Sequence, residues 1–388
     1  MKEKCSRLES LDVFRGFDMV FIMGFYGIIY GISKVLELPD GNALITPFHH
    51  VKWEGFHFID SVFPTFLFIA GVSFPFSLMK MRESGASDGK FLFKMFRRMI
   101  VLTVLGMIYN GCLTATSETF RFGSVLQRIG VGWFFAGLIF FFVRGLKTRL
   151  AVFAAISVFW WLFVQFVTAP GAPAGIDPNL FENSKWNIVV WFDHQLPRYM
   201  RPIWEFEPEG ILSHIGGVLT AMLGMFTGEF VLSTRGRLSG AKQVLLMWTA
   251  AAVLLALGLV MKFCGMPVIK AIWSSSFVFC VGAYSLAMFA LFYYLVDVKL
   301  WRKWGFFFKV IGVNSITIYL GQAIFKTWSA NGPIAFFFGY HAADGVAAKG
   351  LIGLCGLPWG YLVWGVVQFF TLWAALYWLY RRNIFLKV

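Results

Sequence analysis

Residues 47–79 read PFHHVKWEGFHFIDSVFPTFLFIAGVSFPFSLM. Three of the chain's six histidines, two acids, a lysine and a tryptophan crowd its first part, and the rest is almost wholly apolar. An unbroken apolar run of ~20 residues is what a helix needs to cross a bilayer core of ~30 Å. The run lacks the period-two alternation of a barrel strand, so it predicts a transmembrane helix with a polar, histidine-rich segment at its mouth.

The rest of the chain repeats the pattern. With 58% hydrophobic and 14% charged residues and a mean hydropathy of +0.69, 388 residues have too much apolar surface for a water-soluble fold. Hydropathy predicts about ten spans, at 11–33, 58–79, 95–113, 122–143, 150–168, 210–232, 243–261, 271–296, 304–325 and 358–380. The expected architecture is all-α: a polytopic helix bundle in the lipid bilayer, one domain over 1–388, with its longest loop at 169–209. The basic N-terminus is followed by a long apolar run without a small-x-small cleavage site, so it reads as a retained helix.

When the basic residues are assigned to alternate sides of these spans, 21 fall on the side of both termini and 10 on the other. The positive-inside rule then predicts cytoplasmic termini and puts His49, His50 and His57 on the outer face, with a bacterial inner membrane as the expected location. The net charge of +14 follows from this topology and from anionic lipid, and does not point to nucleic acid. Five scattered cysteines suggest neither a disulfide framework nor a zinc site.

Polar residues inside apolar spans are the functional candidates, because each is expensive there unless partnered. Asp12, Arg15 and Asp18 recur at three-residue spacing on one helix face, which reads either as an ion-paired helix end or as the border of a cavity. Gln127 and Arg128 lie in the outer half of the fourth expected span. There an ion pair and a substrate contact are comparable readings for Arg128. Glu207 and Glu209 precede the sixth span and suggest caps of its N-terminus. Asn314, Ser315, Tyr319 and Gln322 share a face of the ninth, as interhelical hydrogen bonds or as a binding site. The histidine spacing followed by Asp60 matches no compact metal motif, so no metal is expected. A neutral imidazole can take a proton from an amine or hydroxyl nucleophile, with Asp60 holding its tautomer or steadying the imidazolium.

Six blocks in order, RLESLDVFRGFDM, HHVKWEGFHFIDSVFPTFLFIAG, RFGSVLQRIGVGWF, PEGILSHIGGVLTAMLGMFTGE, MPVIKAIWSSSFVF and VIGVNSITIYLG, resemble the transmembrane acyltransferase family of heparan-α-glucosaminide N-acetyltransferase and its bacterial relatives. The resemblance runs from about Arg7 to Gln322. It implies an enzyme that takes acetyl-CoA from the cytoplasmic side and passes the acetyl group to the amine of a terminal glucosamine on the far side. It lays the family's H-x-x-W-x-G pattern on His50, Trp53 and Gly55. The candidate catalytic pair is therefore His50 with Asp60. Asp12, Arg15, Trp53, Gln127, Arg128, Glu209, Ser275 and Asn314 are candidates for substrate or CoA contacts. The basic cluster Lys90, Lys94, Arg97 and Arg98, with Arg15 at similar depth, suits either CoA phosphates or anionic lipid. Where the lysosomal enzyme carries an asparagine in its first span, this chain has Tyr26 nearest. The expected partners are a CoA donor, an amino-sugar or glycan acceptor and the lipid bilayer, with homodimerisation as in some relatives. The alternative reading is a transporter of amino sugars or glycan fragments.

Overall fold

The computed structural model describes residues 8–112, 121–197, 200, 205–331, 355–356 and 358–386. Basic residues Lys2, Lys4, Arg7, Arg198, Arg201, Lys349 and Lys387, and part of the 169–209 loop, lie outside the described residues. The described residues are mostly helical and contain no β-strand beyond two isolated bridges.

The first span is α1 (Glu9–Val20) and α2 (Tyr26–Val35), joined by a π-helical turn at Phe21–Phe25. There follow α3 (Phe58–Glu83), α4 (Asp88–Tyr109), α5 (Val125–Phe142), α6 (Leu146–Phe166), a short α7 (Ile188–Gln195), α8 (His214–Thr234), α9 (Gly240–Phe263), α10 (Ser275–Tyr293), α11 (Phe306–Gly312), α12 (Ser315–Asn331) and α13 (Trp359–Arg381). Eight of the described helical segments are long and apolar enough to cross a membrane. The third expected span appears as α4, whose first half is rich in basic residues. The ninth is broken at Val313–Asn314 into α11 and α12.

Two features set the position of the polar groups. The first is the seam between α3 and α8. A Cβ on Gly71 would come within 2.3 Å of the Ala221 carbonyl oxygen, and one on Gly224 within 2.1 Å of that of Phe68, so these backbones touch as only glycine permits. This seam ties together the core that holds Phe68, Phe74, Trp133 and Met222. The second is the kink in the first span. Gly24 has φ 115°, a conformation closed to L side chains, and the π-turn around it redirects the helix. Phe21 in that turn packs edge-on against Phe58 at 4.5 Å, at the head of α3.

Loops sort to two faces. On one, which we call the histidine face, Trp53 donates Nε1–H to the Asn179 carbonyl at 2.7 Å, Glu54 bridges to Ile269, and Arg121 grips Glu207 and Glu209. On the other, Asp297 accepts the backbone N–H of Glu9 and Ser10, and Glu9 pairs with Arg302 and Lys309. This face also receives the end of α13, through Tyr380 against Phe306.

Candidate active site

The strap between α2 and α3 carries the histidines, and α3 begins inside it. Asp60 occupies the third helical position and reaches back to accept the backbone N–H of His57 at 3.1 Å, a local geometry that acids favour at helix N-termini. The same oxygen lies 3.4 Å from the Val51 backbone nitrogen. The other carboxylate oxygen, Oδ1, is 2.7 Å from His50 Nδ1 and 3.0 Å from Lys270 Nζ. Asp60 is 1% exposed, and four donors fill its lone-pair directions.

Lys270 Nζ is also 3.1 Å from His50 Nδ1. Proton placement follows from the distances. Two acceptors do not sit 2.7 Å apart without a hydrogen between them, so His50 Nδ1–H donates to Asp60, Lys270 donates to the same oxygen, and the Lys270–His50 approach results from two donors converging. In the neutral imidazole His50 Nε2 then carries the lone pair, on a side chain that is 62% exposed. Burial pulls the Lys270 amine below its ordinary range, with the Asp60 carboxylate opposing the shift.

The other two histidines are engaged in holding the strap. His57 donates Nδ1–H to the His49 carbonyl at 2.7 Å, and His49 Nε2 is 3.1 Å from the Tyr26 hydroxyl just past the kink. Trp53 is 4% exposed and packs on Phe206 at 5.2 Å, which makes it the peg that fixes the strap to the long loop.

Behind this group lies Arg128, 0% exposed. Its guanidinium sits 4.9 Å beneath the Trp273 ring and donates to Ser213 and, at 3.3 Å, to the Gly210 carbonyl. Nε and Nη1 have no partner. Trp273 closes a turn onto Lys270, through N–H to carbonyl at 3.0 Å, and stacks edge-on against Phe63 at 5.8 Å, one helical turn past Asp60. Arg128 thus joins His50 and Asp60 through Trp273 and makes no direct contact with them. His214 donates Nδ1–H to the Gly210 carbonyl at 2.8 Å and leaves Nε2 buried without a partner.

The remaining candidates divide. Gln127 and Ser124 form a reciprocal capping box at the head of α5 (3.1 and 3.2 Å), which accounts for Gln127 structurally. Ser275 donates to the Ser157 carbonyl at 3.1 Å, between α10 and α6. Glu207 and Glu209 do not cap the sixth span as expected, because α8 starts only at His214; they clamp Arg121. Asp12 pairs with Arg15 at 3.5 Å at the opposite face, far along the span from His50. Asn314 sits at the helix break, 1% exposed, with both side-chain polar atoms unpartnered. Of the basic cluster on α4, Lys90, Lys94 and Arg97 are exposed, whereas Arg98 turns inward, 4.3 Å over the Trp133 ring.

Sequence reasoning missed Lys270. It is the sole charged residue between Lys262 and Asp297, and an isolated lysine at the head of an apolar span is the signal that would have drawn attention to it.

A bundle of membrane-length helices with a buried carboxylate held by a histidine and a lysine at one face defines a polytopic membrane protein with a polar cluster at the mouth of the bundle. No family model matches the chain. It is 28% identical to human heparan-alpha-glucosaminide N-acetyltransferase over 433 aligned positions, covering 98% of this chain and 60% of the relative. The mouse protein of the same name is 25% identical, with 100% and 61% covered. The chain spans about three-fifths of the length of these relatives. Over nearly its whole length the chain is thus similar to heparan-alpha-glucosaminide N-acetyltransferases.

Proposed function

We propose that this protein is a membrane acetyltransferase that moves an acetyl group from cytoplasmic acetyl-CoA to the amine of a glucosamine-type sugar on the outer face. The observation that carries the proposal is the Asp60–His50–Lys270 group, which leaves a histidine lone pair exposed at the mouth of the bundle. The names of the relatives supply the reaction class. The basic-residue bias supplies the orientation, with both termini cytoplasmic in a bacterial inner membrane. A homodimer belongs to the same family-based proposal.

The chemistry asked of His50 is modest and fits its geometry. An amine attacking the thioester carbonyl must lose a proton, and Nε2 can take it while Asp60 steadies the imidazolium through Nδ1–H. CoA leaves as a thiolate and recovers a proton from Nε2–H, which returns the histidine to its starting state. If the acetyl group instead pauses on the enzyme, the same lone pair is the nucleophile.

The donor has to reach this face from the opposite one. Among the described residues, buried polar atoms without partners occur on α1 (Ser10, Asp18), α4 (Arg98), α5 (Arg128), α8 (His214) and at α11–α12 (Asn314, Gln322). Such groups are costly in a dry core and are natural in the wall of a passage that holds water or a polar ligand. They support a donor path through the bundle.

The deciding experiment uses sealed vesicles with labelled acetyl-CoA on one side and glucosamine-ended sugars on the other. Wild-type protein acetylates the sugar, and His50→Ala remains folded and binds CoA but loses 10²–10⁴-fold or more in rate, roughly the range for a positioned base. Movement of intact, unacetylated sugar across the vesicle would make the protein a transporter instead.

A further inference from the structure

At the face opposite the histidines, two cavities of about 420 and 710 Å³ meet at Arg82, Arg149 and Glu229. They lie 22 residues along α3 from Asp60, roughly 33 Å at the helical rise, so they sit at the other membrane interface. The smaller one has an apolar wall of Phe74, Pro75, Leu78 and Leu232. The larger one opens among charged side chains.

Arg149 forms a fixed floor. Its guanidinium donates to the Val143 and Phe140 carbonyls at 2.8 and 2.9 Å and to Glu229 Oε1 at 2.6 Å, and it lies 4.7 Å over the Phe140 ring. Glu229 Oε2 has no partner. Around this floor stand Arg82 and Arg144, whose side chains make no ion pair or hydrogen bond with any described residue, and two equally unpaired acids, Glu83 and Asp88. The mouth therefore presents free charges of both signs directly above an apolar wall.

We propose that this is a binding site for a membrane phospholipid with a zwitterionic, phosphoethanolamine-type headgroup. The phosphodiester would lie between Arg82 and Arg144, the ammonium would face Glu83, Asp88 and the open oxygen of Glu229, and an acyl chain would lie along the wall of the smaller cavity. Balanced charge is what selects this headgroup. A purely anionic lipid would match the arginines and meet the acids unfavourably. A CoA nucleotide shares the phosphate chemistry, but between here and His50 stands the close-packed glycine seam of α3 and α8.

The test is native mass spectrometry of the full-length protein released from nanodiscs containing phosphatidylethanolamine, phosphatidylglycerol and phosphatidylcholine in equal amounts. Wild type is expected to retain phosphatidylethanolamine preferentially. Arg82→Gln combined with Arg144→Gln is expected to lose that retention by about tenfold, since charge-assisted contacts to the phosphate go. Glu83→Gln combined with Asp88→Asn is expected to shift preference to phosphatidylglycerol. All four side chains are unpaired, so these variants remove no described fold contact, and an unchanged melting temperature checks this. Equal retention of the lipids by wild type, retention unaffected by the arginine changes, or displacement of the bound lipid by CoA would each overturn the proposal. None of these results depends on acetyl transfer.

Discussion

Replacing Lys270 by Met keeps most of the side chain's volume and removes only its charge. At 3.0 Å from Asp60 Oδ1, the gross attraction at an effective dielectric of ~20 is about 5–6 kcal/mol. Desolvation of the ammonium offsets part of this, and His50 still holds the same oxygen, so the net loss should fall below the ~3–5 kcal/mol typical of breaking a buried pair. We expect about 1–3 kcal/mol. The larger effect is on protonation. With Lys270 gone, Asp60 is an uncompensated carboxylate against His50, which favours the imidazolium and ties up Nε2. The charged group in contact with His50 is then Asp60, from α3. The acid limb of the pH–rate profile for kcat/KM should move to higher pH, so that activity at neutral pH drops and recovers as pH rises. Lys270→Arg should restore much of the profile. The assay is acetyl transfer by purified protein across pH 5.5–9, a range of about 3–4 units around neutrality, with melting temperature measured alongside. A profile in Lys270→Met that keeps its midpoint and only loses amplitude in step with stability would refute the reasoning and leave Lys270 a structural cation.

Gly24→Ala places a Cβ where φ is 115°, so it should cost about 1–3 kcal/mol and disturb the Tyr26–His49 contact, read as a lower melting temperature and reduced turnover. Arg128→Met should lower both stability and activity, because Asp193, Glu207 and Glu209 lose a nearby buried cation; wild-type yield and turnover would show that Arg128 has no essential role. Asp193 has its acidity weakened by burial, to about 7, against the opposing pull of the Ile211 N–H and Arg128. A carboxyl raised in the folded state contributes stability that is complete below its unfolded value of ~3.9 and disappears as pH climbs through about 7. Thermal melts should therefore show wild type losing stability from pH 4 to 8, and Asp193→Asn flattening that slope, with equal slopes counting against it.

Much of the fold was legible because continuous apolar runs of membrane length admit few structures, and most of the spans formed as helices within a few residues of expectation. The exceptions are physical. Asn314 carries a polar side chain at a helix break, and hydropathy averaged over a window does not register a break of two residues. The His50–Asp60 pair was legible from spacing, since a residue three positions into a helix reaches back over its own N-terminus. Lys270 was not, because it lies 210 positions from Asp60 and only tertiary packing unites them. Trp53, Gln127 and Ser275 matched the expected blocks, yet the structure uses their polar atoms for fastening, a distinction no residue type carries on its own.

The four donors around Asp60 have a consequence for where protons can go. With every lone-pair direction occupied, the carboxylate cannot accept the Nδ1 proton outright without giving up a bond to Lys270, Val51 or His57. It is a fixed negative wall and not a way-station. A proton gained at Nε2 therefore has a single exit, back through Nε2 to the departing thiolate or to water at the mouth, and the cycle closes only when the leaving group or solvent collects it.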